Sequence, residues 1–295
     1  MALHYVESMA HVLDRYAAYH QWSPPLMRMT VACLVLLVVA LIGLVIDDRV
    51  ILGAPAMLKP AKFGLSGAVY LFTLAYMIRE LPQSRTLRVA ATAIGGIIVI
   101  ETALIFFQAA RGESSHFNVN TPLDIAIFSG MGMGIATVWI LSMLLLILHL
   151  RTPAADRAMG MALRIGLALN IVGAGVGWRM TTPSSVQIAS MSRGERPFVA
   201  GAHTVGGADG EVGVPITNWS LRHGDLRVPH FLGMHALQLL PLLLLGVRGL
   251  RTRRNDGAEQ ALVLVSATLC VAVFGAALVQ ALSGHPLIPP SGTTL

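Results

Sequence analysis

Seven runs of apolar residues follow one another along the chain, at roughly 29–46, 62–79, 89–110, 123–149, 158–178, 229–247 and 260–283, each ending in a polar stretch. A helix rises 1.5 Å per residue, so about 20 apolar residues span the ~30 Å hydrocarbon core of a bilayer. The pattern predicts an all-α fold: a polytopic transmembrane bundle of seven helices occupying 29–283. Residues 1–28 precede it as an amphipathic segment whose 4–20 portion reads as a surface helix. Residues 284–295 form a tail. Most connections are short, the exception being 180–228. Small residues at four-residue spacing, Gly130/Gly134 and Gly173/Gly177, predict close helix packing. No internal repeat is visible, which counts against an inverted-repeat transporter.

Composition agrees. Of 295 residues, 55% are hydrophobic and 12% charged, with a mean hydropathy of +0.68; soluble domains carry about 25% charged residues. The net charge of +6 comes from 19 Arg against 2 Lys. The arginines concentrate at helix ends, where they set membrane orientation, so they do not call for nucleic acid. Loops 2–3, 4–5 and 6–7 carry Arg79, Arg85, Arg88, Arg151, Arg157, Arg248, Arg251, Arg253 and Arg254, against Arg49, Lys59 and Arg111 in loops 1–2 and 3–4. The richer set belongs in the cytoplasm, and the expectation is that the N-terminus, the C-terminus and the 180–228 loop lie outside. The first apolar run has no compact basic leader, so a cleavable signal peptide is not expected. Cys33 and Cys270 fall within apolar runs and read as free thiols.

Ionisable groups inside spans are costly and mark candidate sites. Glu101 lies ten residues before Arg111, about 15 Å below the outer end. Glu101, Gln108 and Arg111 are seven and three apart and share a face. Asn170 shares a face with Gly173 and Gly177, where an interhelical hydrogen bond is the simpler reading. Thr121-Pro122-Leu123-Asp124 is a capping pattern with Asp in the usual Glu position, so Asp124 needs no catalytic role. Lys62 reads as a snorkelling anchor.

The stretch NWSLRHGDLRVPHFLGMHALQLLP (218–241) passes from a polar loop into an apolar helix that begins near Pro229. His235 and Gln238 are three apart on one face. His230 and His235 are separated by about 140° around a helix, so they cannot jointly face one metal without distortion, and a pair of ligands would have to draw on another segment. His116 is the outer-side candidate, giving His116, His230 and His235 as possible metal ligands. With Trp219 and Arg227 in the loop, the expected site is an outward-facing pocket of Glu101, Gln108, Arg111, His116, Asn170, Trp219, Arg227, His235 and Gln238.

The segments LKPAKF, RGESSHFNVNTPLD and NWSLRHGDLRVPHFLGMHALQ, about 40 residues together, resemble a group of uncharacterised bacterial multi-pass membrane proteins. The resemblance implies this topology and a bacterial cytoplasmic membrane, and no activity. The residues themselves favour binding of a cofactor or small molecule at the outer face, with haem, a metal or a quinone as candidates in redox or proton transfer. A transporter, a seven-helix sensor and a structural subunit are the alternatives. An enzyme stays open, although no nucleophile elbow or zinc helix is present.

Overall fold

The structure, a computed structural model, describes residues 14–195, 198–250 and 253–288. Seven of its helices are long and apolar enough to cross a membrane. They are α1 (Pro24–Ile46), α2 (Leu58–Ile78), α3 (Arg85–Arg111), α4 (Pro122–Arg151), α5 (Arg157–Met180), α7 (Arg227–Leu250) and α8 (Asp256–Leu282). A short helix, α6 (Ser185–Ser192), lies in the long connection. Two small antiparallel ladders, β1 (Val50–Ile51) with β2 (Ala54–Pro55) and β3 (Thr204–Val205) with β4 (Gly224–Asp225), complete the elements.

The helices start up to five residues earlier than the apolar runs. At α3, α4, α5 and α8 the reason is capping: Ser84, Thr121, Asp156 and Asn255 each accept a hydrogen bond from a first-turn backbone N–H, so helix begins in the polar interface before hydrophobicity begins. The turns 79–84, 152–156 and 253–255 fall on one side, here the arginine-rich face. The connections 47–57, 112–121 and 181–226 fall on the other, the loop face.

The expectation of both termini on one face fails. Seven crossings are an odd number, so the two ends emerge on opposite faces. Tyr19 and Trp22 stack on Phe72 and Tyr76 near the end of α2, and the Arg79 guanidinium lies over the Trp22 ring. Residues 14–23 therefore sit on the arginine-rich face, while the segment after α8 sits on the loop face. Of the surface helix expected over 4–20, residues 14–20 are helical, and 4–13 lie outside the described residues.

Two glycine seams organise the packing. Gly173 of α5 faces Gly233 of α7 so closely that a Cβ on Gly173 would lie 2.6 Å from the Met234 nitrogen and 2.7 Å from Gly233. Gly166 makes a similar approach to Ala236 and Leu237. On the other side, Gly64 of α2 meets the backbone of Leu37 in α1. The helices form two groups of three, α1–α2–α3 and α5–α7–α8, with α4 packed against α3 and α5 and a sparse meeting of α2 with α7. Leu71 and Leu74 of α2, Leu145 of α4, Leu163 and Leu167 of α5, and Leu237 and Leu240 of α7 join in one buried cluster. It fills the half of the bundle nearer the arginine-rich face, where Ser142, His149 and Glu259 are also buried, while the predicted site residues lie in the loop-face half.

The predicted Gly130/Gly134 seam holds only in part. Gly134 receives the Glu101 side chain, whereas nothing lies within 4 Å of a Cβ at Gly130. These environments differ enough to separate by mutation. Gly173→Ala is expected to lower stability by about 1–3 kcal/mol through backbone displacement at an overpacked site, and Gly130→Ala to leave it unchanged, both read from thermal unfolding in detergent. Equal melting temperatures for the two variants would refute the seam.

Candidate functional site

The long connection is seated on the loop face by backbone contacts at both ends. Val119 N–H donates to Phe198 O (3.0 Å) and Ala200 N–H to Phe117 O (2.8 Å), pairing it with the α3–α4 loop. The β3–β4 ladder closes its far end, and Leu226 N–H donates to His203 O. Gly201 (φ 108°) passes where a Cβ would collide with Met180 O, and Gly224 lies flat against Ala281 O. Asn218 donates to Leu52 O across the β1–β2 hairpin.

Beneath this cover, basic and imidazole groups converge from four elements. Lys59 and Lys62 stand one turn apart at the start of α2. The Lys59 ammonium donates to His116 Nδ1 (3.2 Å), and Ser115 Oγ lies 3.0 Å from the same nitrogen. With Lys59 as an ammonium, which has no acceptor, His116 Nδ1 carries the lone pair and its proton sits on Nε2. Burial first, then Lys59, His203 and His230, push His116 well below its ordinary pKa. Phe117, the next residue, adopts φ 62°, which is strained for a bulky side chain. The turn places its ring edge-on to His203 at 4.9 Å while His116 faces Lys59.

Lys62 donates to Thr217 O (3.0 Å). His203 Nδ1–H donates to Asp209 Oδ2 (2.7 Å), and the same carboxylate accepts from the His203 and Thr204 backbone N–H groups and the Thr204 hydroxyl. Burial raises the Asp209 pKa, but the His203 and Thr204 hydrogen bonds outweigh it and hold this carboxyl below the usual range. His203 is pushed down, chiefly by burial. Arg227 forks onto buried Asp225 (2.6 and 2.9 Å) and reaches Asn218 O. His230 Nδ1–H donates to Gly173 O (2.8 Å), which leaves its Nε2 as an acceptor.

The other sequence-predicted residues are drawn into separate pairs, and they do not line one pocket. Gln108 and Arg111 both donate to buried Asp124 (2.9 and 2.8 Å), and Arg111 also meets Gln108 Oε1, so this trio ties α3 to α4. The Thr121 cap is present, and the Thr121 hydroxyl donates to Asp124 Oδ2. Asn170 makes the expected interhelical bond, to Met234 O at 2.8 Å. His235 Nδ1–H donates to Gln238 Oε1 (3.2 Å), and its ring packs on Phe231, which in turn meets Trp219 of the loop. Glu101 is buried against Gly134 and makes no hydrogen bond among the described residues.

The metal reading of His116, His230 and His235 is not supported. Among the described residues no three His, Cys, Asp or Glu side chains are grouped to hold an ion. His230 and His235 have turned Nδ1 to Gly173 O and to Gln238, on different sides of α7. A cavity at the loop face, lined by Asp225, Gln280 and His285 among others, measures only about 10 Å³, the space of one water. No family model, no curated protein and no solved structure matches the chain.

Sequence reasoning missed Lys59, His203 and Asp209. The spacing of Lys59 and Lys62 was a signal, because two basic residues one turn apart share a face. Nothing in GAHTVGGADG marks His203 and Asp209 as partners, since their pairing depends on how the loop folds back.

The neutral state of His116 and His203 gives the loop a pH dependence. Their folded pKa values lie below the ordinary value of 6.5, so the undocked state binds more protons as pH falls below about 6.5. Docking is then full above that pH and weakens as pH falls toward the folded values. Amide exchange over 198–226 is expected to speed up between pH 7.5 and 5.5, with the change reduced in His116→Gln. Exchange that does not vary with pH would contradict this.

Proposed function

We propose that this protein binds a small oxygen-rich molecule, an anion or a quinone-type carbonyl compound, beneath the long connection at the loop face. The observation that carries the reading is the pair of ammonium groups in the first turn of α2. Among the described residues both reach only neutral acceptors, an imidazole nitrogen and a peptide oxygen, while Asp209 and Asp225 are engaged by His203 and Arg227. Cations held in a partly buried layer without a carboxylate partner favour a ligand that brings negative charge or carbonyl oxygens. The Nε2–H of His116 adds a donor, and Nε2 of His230 an acceptor, suited to the oxygens and hydroxyls of a quinone–quinol couple. The sparse meeting of α2 and α7 supports entry from the bilayer, where such molecules dissolve. A metal ion is less suited, since among the described residues no three His, Cys, Asp or Glu side chains are grouped to hold one.

The test is a thermal-shift titration of detergent-solubilised protein with a short-chain ubiquinone and, separately, with citrate. One of the two is expected to raise the melting temperature by several degrees, as ligand binding to the folded state alone must. Lys59→Ala is expected to remove most of that shift. If neither compound stabilises the wild type, the reading fails.

The resemblance implies a bacterial cytoplasmic membrane, and the arginine distribution supports the arginine-rich face inside and the loop face outside. Residues 14–23 are then cytoplasmic. In intact cells of a Cys33→Ala, Cys270→Ala background, a membrane-impermeant maleimide is expected to label Val212→Cys. Ala17→Cys and Ala155→Cys are expected to react only after permeabilisation. The reverse pattern would invert the orientation.

A further inference from the structure

The arginine-rich face carries an open cleft of about 520 Å³, far from the layer beneath the long connection. Its walls come from the end of α4, the first turns of α5 and the first turn of α8, and include Leu150, Arg157, Met161, Arg164, Ile165 and Gln260. Arg157, Met161, Arg164 and Ile165 recur at three- and four-residue spacing, so one face of α5 lines the cleft. Along that face Arg157 marks the water end, and Met161 and Ile165 lie about 6 and 12 Å deeper.

The charges around the cleft are unevenly satisfied. Asp156 accepts from Arg248 (2.7 and 2.9 Å) and from Arg254 (3.1 Å), and Arg248 and Arg254 also take buried Glu259 at 2.6 and 3.2 Å. The Arg248 bond is the largest influence holding the Asp156 carboxyl at about 2. Asp156 and Glu259 are therefore consumed, while Asp256, exposed in the first turn of α8, reaches Arg254 only at 3.9 Å. Arg164 donates to His149 Nδ1, His149 O and Thr152 O, capping the last carbonyls of α4 with its Nε and Nη2 groups. Arg157 is exposed, and among the described residues neither Arg157 nor Arg164 has a carboxylate partner.

We infer that this cleft binds the headgroup of an anionic phospholipid, with phosphate oxygens accepting from Arg157 and from the free Nη1 of Arg164, and acyl chains lying along Leu150, Met161 and Ile165. The order of groups matches such a lipid: Arg157 stands at the water end, Arg164 starts about 10 Å deeper but turns its guanidinium back to Thr152 O at the end of α4, and Met161 and Ile165 supply the apolar wall. The cleft opens where the bilayer itself supplies the ligand, and basic pockets between helix ends suit phosphate headgroups. A free phosphate would use the same two arginines and gain nothing from the apolar wall. Gln260 stands beside the headgroup as a further donor.

The experiment uses delipidated full-length protein in a neutral detergent, titrated with phosphatidylglycerol, phosphatidylcholine or inorganic phosphate, with thermal unfolding and native mass spectrometry as readouts. Phosphatidylglycerol is expected to stabilise the protein and remain bound, and the other two probes are not. Arg157→Gln removes one charge-assisted bond from a side chain that holds nothing else, so it is expected to weaken phosphatidylglycerol binding by about tenfold at an unchanged melting temperature of the lipid-free protein. Arg164→Gln is expected to weaken binding as well, with some loss of basal stability because it caps α4. Equal stabilisation by phosphatidylcholine would overturn the assignment. So would a shift reproduced by inorganic phosphate, or wild-type lipid binding by Arg157→Gln.

Discussion

Gly173 of α5 and Gly233 of α7 leave no space between them for a side chain, and much else at the loop face is hung from that contact. Lipid is as apolar as leucine, so helices in a bilayer gain little by hiding leucine from it. Association has to come from dispersion at close range and from hydrogen bonds. The backbone approach supplies the first. Asn170 to Met234 O and His230 to Gly173 O supply the second, from the same stretch of the two helices. The seam fixes the height of α7, and with it the position of Arg227 and His230 beneath the long connection. An α7 displaced by one residue would rotate His230 by about 100° away from Gly173 O.

The polar groups of the bundle follow one rule, that a buried donor or charge must find a partner. Asp124 has Gln108, Arg111 and Thr121; Glu259 has Arg248 and Arg254; Asp209 has His203 and Thr204. These networks are complete within the chain and read as structure. The exceptions stand out against them. Among the described residues, Glu101, His149 Nε2 and Thr217 Oγ1 are buried without a partner, Lys59 and Lys62 meet only neutral acceptors at one face, and Arg157 and Arg164 lack carboxylates at the other. The two proposals rest on the lysine and arginine places, where the charges call for something that the chain does not provide.

Much of the fold was legible because the bilayer imposes it. With no water in the hydrocarbon, each span must satisfy its backbone internally, so hydrophobic runs of sufficient length read directly as helices. The Thr121 cap, the Gly173 packing face, the Asn170 interhelical bond and the shared face of His235 and Gln238 were also legible, since each depends on spacing within a single helix. What escaped was long-range. His116 meets Lys59 across 57 residues and Arg248 meets Asp156 across 92, and no local periodicity encodes either meeting. The idea of one pocket failed for the same reason: residues at a common depth were assumed to share a space, and the packing of α3 on α4 sent Gln108 and Arg111 to Asp124 instead.

By itself the sequence determined the number of crossings and the alternation of the connections between two faces, because hydrophobic length against bilayer thickness needs no tertiary knowledge; the parity of seven crossings was there too, although the expectation of both termini outside overlooked it. Tertiary structure alone decided which helices touch, which polar groups are consumed as partners and which remain open to a ligand. Those outcomes depend on side-chain rotation and on how a connection of more than 40 residues (181–226) folds back over the bundle. The physical divide is range: solvent selects the elements one segment at a time, whereas pairing energy is settled only when segments distant in the chain are brought within hydrogen-bond reach.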